Sequence, residues 1–445
     1  MIVLPESVRD TIRLLEDAGF ACWAVGGCVR DSLCGRPPAD WDLTTAARPE
    51  ETAAVLSAQY PVKETGLQHG TVTAFVRGMP LEITTYRSES GYSDGRRPDT
   101  VTFIDRIEED LARRDFTVNA MAYSPTRGLY DPYGGRADLA AGLLRAVGDP
   151  DARFAEDALR ILRGLRFSAV TGFAAQKETA HAMRRQLHRL DTIACERIFE
   201  ELTRMLTGRW VGRALRAYPE IITRVLPELA PMCGLCQHNP HHRYNVWEHT
   251  VRAVEAAPAD PVLRWTLLLH DCGKPACYTI DQAGVGHFKG HPAVSQALAA
   301  QVLDRLHAGH ALRDSVLELI ALHDYPLGND ARTVRRRLSR LGEDRVRRLL
   351  LVKKCDCTGQ GAYSEHLADL QQTERLVNEA IACGACLSRR DLAVNGRDLI
   401  ARGLHGPVVG ETLAWLLTQV VEGTAPNEHD ALCTLAMQRK ETPNE

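Results

Sequence analysis

Short apolar runs separated by turn residues dominate the first 148 positions. Cys22 to Val25, Thr71 to Val76, Leu81 to Tyr86 and Val101 to Ile104 read as strands, interleaved with amphipathic helices, which predicts an α/β head over residues 1–148. From Asp151 onward the period lengthens and strand patterns vanish. Asp157 to Ser168 and Cys195 to Leu206 predict helices of a neck spanning 149–230. Pro231 to Pro240 reads as a linker, helices resume at Val246, and Asn395 to Ala436 predicts a separate helical tail. The expected segments are thus 1–148, 149–230, 240–365 and 366–445, in an α+β chain without internal repeats. Ser88 to Asp99 is too polar and glycine-rich to be packed and is expected to be a mobile loop.

A length of 445 residues implies several domains, and 44% hydrophobic with 25% charged residues is the balance of a soluble globular protein. No run approaches the length of apolar residues that a membrane span needs, and the N-terminus lacks a signal-peptide pattern. A cytoplasmic protein with no membrane partner is expected. The 13 cysteines are odd in number and scattered, which suits a reducing compartment. Cys233 and Cys236, followed by His238, His241 and His242, are a candidate zinc set without a second cysteine pair. The net charge of −3 argues against a protein that coats nucleic acid. Local arginine stripes remain, at 184, 185 and 189 and from 332 to 348, as candidate polyanion contacts.

The densest chemistry lies in Gly26-Gly27-Cys28-Val29-Arg30-Asp31, followed by Asp40-Trp41-Asp42. A glycine pair after a buried strand lets backbone approach a phosphate, and Arg30 then has an anion to meet. Side chains two apart on an extended segment share a face, so Asp40 and Asp42 present their oxygens together, with Trp41 and Leu43 opposite. Mg²⁺ favours such an oxygen cage. Glu82, flanked by Leu81 and Ile83, is the candidate third carboxylate; the alternative is an edge-strand glutamate facing water.

Arg113, Arg114 and Asp115 stand before an apolar run, where the arginines can clamp a triphosphate with Asp115 holding one of them. Next comes Glu156-Asp157-Ala-Leu-Arg160-Ile-Leu-Arg163-Gly-Leu-Arg166. On a continuous helix this spacing predicts that Asp157 and Arg160 share a site while Arg166 points away from Asp157.

Taken together these motifs resemble the class II tRNA nucleotidyltransferases, the CCA-adding enzymes, of the bacterial type that also carries an HD domain. Four ordered motifs carry the resemblance over nearly the whole chain: Gly-Gly-X-Val-Arg-Asp with Asp-X-Asp, Arg-Arg-Asp-Phe-Thr-X-Asn-Ala, Glu-Asp-X-X-Arg, and Glu196-Arg197-Ile-Phe-Glu200-Glu201. The resemblance implies a polymerase-β-like nucleotidyltransferase head, an all-helical neck, an HD domain and a helical tail. It implies catalytic metal binding by Asp40 and Asp42, nucleotide contacts from Gly26, Gly27, Arg30 and Arg114, and base and phosphate recognition by Asp157, Arg160, Arg163 and Arg166. The expected substrates are tRNA, CTP and ATP, with Mg²⁺ as cofactor. A carboxylate beside a guanidinium suits this role, because cytosine and adenine both offer an exocyclic amine next to a bare ring nitrogen, whereas uracil and guanine present the reverse. The expected reaction is attack of the terminal ribose hydroxyl on the α-phosphate with loss of pyrophosphate, Asp40, Asp42 and Glu82 holding two Mg²⁺ ions. In relatives adding only CC the 88–99 loop is shortened, so its deletion here is expected to spare C addition and abolish A addition.

His249, His270-Asp271, His291, His323-Asp324 and Asp356 occur in the order of an HD phosphohydrolase, and Leu267-Leu-Leu-His-Asp-Cys-Gly-Lys274 resembles that family closely. His249, His270, Asp271 and Asp356 form a candidate four-ligand set, with His291 and His323 available to a second ion. A divalent transition metal (Mn, Fe, Ni or Co) or Mg²⁺ is expected there, and phosphatase or cyclic phosphodiesterase activity on nucleotides or RNA ends is implied. The alternatives are a poly(A) polymerase or partial A-adding enzyme, or chiefly an HD phosphohydrolase with a nucleotide-sensing head. A protein uridylyltransferase is disfavoured by the Glu-Asp-X-X-Arg helix and the short tail.

Overall fold

The computed structural model describes residues 2–66, 70–90, 100–239, 243–361 and 364–441. Two compact units emerge, Met1–Pro227 and Glu228–Glu445.

In the first unit a seven-stranded sheet is built around β1 (Cys22–Val25), all four of whose residues are buried, as expected of a central strand. Antiparallel neighbours flank it: β2 (Asp42–Thr45) on one side, β8 (Ala122–Ser124) and then β9 (Gly128–Tyr130) on the other. Beyond β2 lie β5 (Met79–Thr85), β4 (Thr71–Val76) and β3 (Val62–Gly66), giving the order β3-β4-β5-β2-β1-β8-β9. β5 runs parallel to β2, in a register that sets Asp42 opposite Glu82. The helix Glu6–Asp17 buries Val8, Ile12 and Leu15 in a core shared with Leu43, Leu81 and Ile83. Alternation along β2 turns Trp41 and Leu43 inward and leaves Asp40 and Asp42 exposed, as their spacing predicts.

Two expectations are corrected. The polar segment expected as a loop over 88–99 begins as a strand: β6 (Arg87–Ser90) pairs antiparallel with β7 (Thr100–Phe103) as a two-stranded sheet apart from the main one. Backbone pairing there compensates for the polar side chains; residues 91–99 lie outside the described residues. The predicted helix from Asp157 to Ser168 instead spans Leu159–Thr171, after a separate helix Pro150–Glu156. Asp157 lies between the two with φ −141° and ψ 102°, and its carboxylate accepts from the amide of Leu159 at 3.0 Å. This local Asp-to-backbone bond competes with helix continuation.

Helices dominate the second unit. The helices Val246–Ala256, Pro261–Leu269, His291–Arg305, His310–Leu322 and Glu343–Gln360 pack around a centre of buried histidines. Its last three helices, Gly396–Ala401, Pro407–Glu422 and His429–Glu441, share a core of Leu399, Leu404, Leu416 and Leu432. Among the described residues no helix is long and apolar enough to cross a membrane. All thirteen cysteines are free.

Candidate nucleotidyl-transfer and metal sites

In the first unit a cavity of about 430 Å³ gathers Gly26, Gly27, Arg30, Asp42, Arg114, Asp157, Arg160, Arg163 and Arg166. Asp40 and Glu82 do not line it, although Glu82 is held beside Asp42 by the β2–β5 register. Gly26 follows β1 with φ +82°, a backbone conformation that favours glycine, and a Cβ there would stand 3.0 Å from Nη1 of Arg114, crowding that guanidinium. Asp42 keeps solvent contact, but the neighbouring protein partly strips water from its carboxyl and raises its pKa to about 6, with Asp40 and Glu82 adding repulsion against the opposing charge of Arg114. The carboxylate oxygens of Asp42 and Glu82, set opposite each other on β2 and β5, with Asp40 two residues from Asp42, are of the type a divalent cation takes.

The arginines are held by buried acids. Asp110, fully buried, accepts from Nε and Nη2 of Arg113 at 3.0 and 2.9 Å and lies 3.5 Å from Nη2 of Arg114. Burial opposes ionisation of Asp110, but the two guanidinium groups outweigh it and lower its pKa. Asp110, at helical spacing from both arginines, therefore holds them, and not Asp115 as expected from the sequence. Asp115 pairs with Arg163, whose Nε and Nη2 lie 2.8 and 2.6 Å from Oδ2, and accepts from Asn119 Nδ2 at 3.1 Å. Arg30 forks onto Asp31 at 2.9 and 3.0 Å and donates to Asn119 at 2.7 Å. Arg30, Arg163 and Arg166 lie around the ring of Phe167, at 5.3, 5.6 and 4.5 Å from its centroid.

Asp157 and Arg160 line one cavity, as their spacing predicts, but their side chains bond other partners. Asp157 Oδ2 accepts from Arg197 Nη2 at 3.2 Å. Arg160 instead donates to Glu156 at 2.6 Å and to the carbonyls of Arg153 and Arg113 at 2.9 and 2.8 Å. The break in the helix at Asp157 removes the rotation that would have turned Arg166 away, so Asp157 and Arg166 line the same cavity. Arg166 lies 3.1 Å from buried Glu201. Burial lowers the pKa of Arg166 and raises that of Glu201, each against the pull of its partner. The motif containing Arg197 and Glu201 was legible, but their partners were not; Asn119 and Phe167 carried no individual signal.

In the second unit His249, His270, Asp271 and Asp356 place one ligand atom each within 4.8 Å of one another, and Asp271, His291 and His323 do likewise. Among the described residues these are the groups of that closeness; Asp40, Asp42 and Glu82 do not form one. Asp271 belongs to both, with Oδ2 3.1 Å from His249 Nε2 and Oδ1 3.2 Å from His291 Nε2. His270, His291 and His323 each direct Nδ1 at the carbonyl three residues earlier, at 2.8, 2.9 and 2.7 Å. Donation from Nδ1 leaves Nε2 as a lone pair. Yet Nε2 of His291 lies 3.1 Å from Nε2 of His323, and Nε2 of His249 lies 3.4 Å from that of His270. Two lone pairs at such distances repel unless a proton or a cation lies between them, and together with the oxygens of Asp271 and Asp356 these nitrogens are a donor set that fits divalent ions. At His249 burial disfavours the charged ring, but the carboxylates of Asp271 and Asp356 raise its pKa to about 9. Cys233 and Cys236 are exposed and belong to neither group, His238 bonds Tyr278 at 2.5 Å, and His241 and His242 lie outside the described residues.

Three family profiles match the chain: the Poly A polymerase head domain over residues 22–145, the probable RNA and SrmB-binding site of polymerase A over 172–233, and a putative tRNA nucleotidyltransferase domain 2 over 295–436. The CCA-adding enzyme of Levilactobacillus brevis is 33% identical over 432 residues, 96% of each chain. That of Leuconostoc citreum is 42% identical over 434 residues, covering 95% of this chain and 94% of its own. A crystal structure of the Bacillus stearothermophilus CCA-adding enzyme in complex with CTP superposes with a TM-score of 0.73 at 28% identity, covering 99% of this chain and 98% of that one. The polymerase-β-like head joined to a helical C-terminal region, four ordered motifs and full-length likeness converge: the chain belongs to the CCA-adding enzyme family of tRNA nucleotidyltransferases.

Proposed function

We propose that this protein adds C, C and A in turn to the 3′ end of tRNA from CTP and ATP, without a nucleic-acid template. The single observation that carries the reading is that one cavity holds Asp42 and the Gly26–Gly27 turn together with Asp157 and the arginines of the following helix. Arg114 and Arg30 supply positive charge for the triphosphate, and the bare backbone at Gly26 and Gly27 admits it closely. Asp157 accepts from the exocyclic amine of cytosine or adenine. Arg160, or Arg197 already beside Asp157, donates to the adjacent ring nitrogen, a pattern that uracil and guanine cannot match. Asp40, Asp42 and Glu82 are the residues that would hold Mg²⁺. When bound, a pair of such ions supplies activation of the attacking hydroxyl and stabilisation of the departing pyrophosphate.

The working division is a head over 1–148, a neck over 149–230, a histidine-bearing HD domain over 240–365 and a tail over 366–445. Within the third segment His249, His270, Asp271 and Asp356, with His291 and His323, would hold divalent transition metal or Mg²⁺. The same chemistry there serves a phosphohydrolase acting on nucleotides or RNA ends. The crowded Nε2 atoms and the shared Asp271 support that reading.

The match to a Poly A polymerase head gives a second reading, a poly(A) or A-only polymerase. Products decide between them. Purified protein and Mg²⁺ are incubated with tRNA ending at the discriminator base, with CTP, ATP or both, and resolved at single nucleotides. Two additions with CTP alone and three with both are expected. Long adenosine tails would replace the proposal with the polymerase reading, and no addition at all would make the histidine cluster the principal activity.

A further inference from the structure

One buried carboxylate that does not itself line the nucleotide cavity ties three parts of the first unit together. Asp110 lies in the short helix Ile107–Ala112 and is 0% exposed. Its Oδ1 accepts from Nε and Nη2 of Arg113 and, at 3.3 Å, from the backbone amide of Arg87, the first residue of β6. Its Oδ2 lies 3.5 Å from Nη2 of Arg114 and 3.4 Å from the hydroxyl of Thr44, which is also 3.1 Å from the carbonyl of Thr84. We infer that Asp110 is a positioning residue for nucleotidyl transfer: it sets Arg113 and Arg114 against the carboxylate-bearing face of the sheet and couples them to the β6–β7 hairpin. The inference rests on the nucleotidyl-transfer reading of the cavity and adds to it a residue that acts through the arginines.

Register is the first argument. Thr44 and Thr84 are partners on β2 and β5, two residues on from the partners Asp42 and Glu82. Side chains two apart on a strand share a face, so Asp110 reaches the face that carries Asp42 and Glu82, about 7 Å further along the strands. The arginine contacts are the second. Among the described residues Asp110 is the acid paired with Arg114. Nη1 of the same guanidinium lies against the Gly26 turn, and its charge acts on the carboxyl of Asp42. Arg114 thus meets Asp110 through Nη2 and the phosphate-binding turn through Nη1. A carboxylate has about four lone-pair sites, and the donors from Arg87, Arg113, Arg114 and Thr44 fill them, so displacing one donor is felt by the others. The hairpin is the third. Phe103 on β7 is the register partner of Arg87 on β6. Its ring covers the backbone of Gly70, where a Cβ would lie 2.6 Å from Cε1, and the Arg48 guanidinium stands 5.3 Å from the ring centroid. The base of the hairpin is therefore docked through Phe103 and bonded across the same residue pair to Asp110, so a shift of that base reaches the arginines through one carboxylate.

The test compares full-chain variants by kcat/KM for the first C added to tRNA ending at the discriminator base. Asp110→Asn keeps the size and an acceptor but removes the charge. It is expected to lower kcat/KM for CTP about tenfold, through KM for CTP, with KM for tRNA changed less than about twofold. On an Arg114→Ala background the same substitution is expected to cost at most about threefold, the remainder being carried by Arg113. Phe103→Ala, which undocks the base of the hairpin, is expected to cost about fivefold alone and less than about twofold on an Asp110→Asn background. No loss in Asp110→Asn, equal losses with and without Arg114, or equal rises in both KM values overturn the positioning role. Equal Phe103→Ala losses in the two backgrounds overturn the coupling to the hairpin. Should Asp110→Asn fail to fold by circular dichroism, Phe103→Ala is compared with and without Arg114→Ala, and an undiminished loss there overturns the inference. A wild type that binds CTP but adds no nucleotide defeats the addition reading alone, and the same comparisons are then made on CTP dissociation constants from calorimetry. A wild type that binds no CTP overturns both.

Discussion

Asp42 and Glu82 face each other across the parallel ladder of β2 and β5. The two carboxylates thereby share one face of the sheet, and Glu82, together with Asp40, raises the pKa of Asp42 beyond what burial alone does. Replacing Asp42 by Asn is expected to lower nucleotide addition by at least about a thousandfold, and Glu82→Gln by roughly ten- to a hundredfold, the scale of losing one electrostatic contact to the transition state. Single-turnover assays across a Mg²⁺ titration check this, with a raised Mg²⁺ requirement expected for Glu82→Gln. A Glu82→Gln protein with wild-type rate and Mg²⁺ dependence would remove Glu82 from the site.

The carboxylate of Asp157 is held by Arg197. Because the ion pair is partly buried at the cavity wall and an oriented acceptor decides base choice, Arg197→Ala is expected to affect fidelity more than stability. The expected result is an approximately tenfold loss in kcat/KM for CTP and measurable incorporation of UTP, with a melting temperature within a few degrees of wild type. Unchanged CTP-over-UTP selectivity would mean that Arg197 only packs the neck.

Acid stability offers a separate check on Asp115. Burial raises its pKa, but Arg163, Asn119 and the amide of Phe116 together bring it down to about 2. A folded value below the ordinary value of about 3.9 gives stability that is fully present above the unfolded pKa and is lost as pH falls through the folded one. The contribution is on the order of 2 kcal/mol near neutrality. Unfolding of Asp115→Asn compared with wild type is expected to show its largest deficit above pH 5 and a shrinking one toward pH 2. A deficit independent of pH would mean that the substitution acts through shape alone.

Metal removal addresses the second unit. Bound ions would separate the facing Nε2 atoms of the histidine pairs, so exhaustive chelation is expected to lower the melting temperature, and Mn²⁺ or Co²⁺ to restore it. At a hundred times its dissociation constant an ion stabilises by about 2.7 kcal/mol. His270→Ala should abolish the restored increment, and elemental analysis should show correspondingly less bound metal. Equal metal content in wild type and His270→Ala would assign the cluster to a purely structural histidine network.

Much of the chemistry was legible in sequence because it is local. Alternation alone turned Asp40 and Asp42 outward and Leu43 inward, and a buried strand ending at Val25 anticipated the turn at Gly26, whose positive φ only glycine accepts readily. The histidine spacing likewise anticipated two ligand groups that come from helices distant in the chain. What the sequence could not settle was pairing between side chains brought together from afar. Glu82 was ambiguous until the β2–β5 register set it beside Asp42, since strand partners are chosen by the packing of the whole sheet. Asp115 was expected to hold a neighbouring arginine, but folding brought Arg163 to it from 48 positions away, while Asp110 took the neighbours. The rotation expected to turn Arg166 away from Asp157 failed for a related reason: one carboxylate bonding its own backbone broke the helix, and the guanidinium that carboxylate meets, that of Arg197, lies 40 residues on. Residue type and local period determine which groups point out of an element. Only the tertiary structure decides which opposite charges meet, because that depends on how the elements pack.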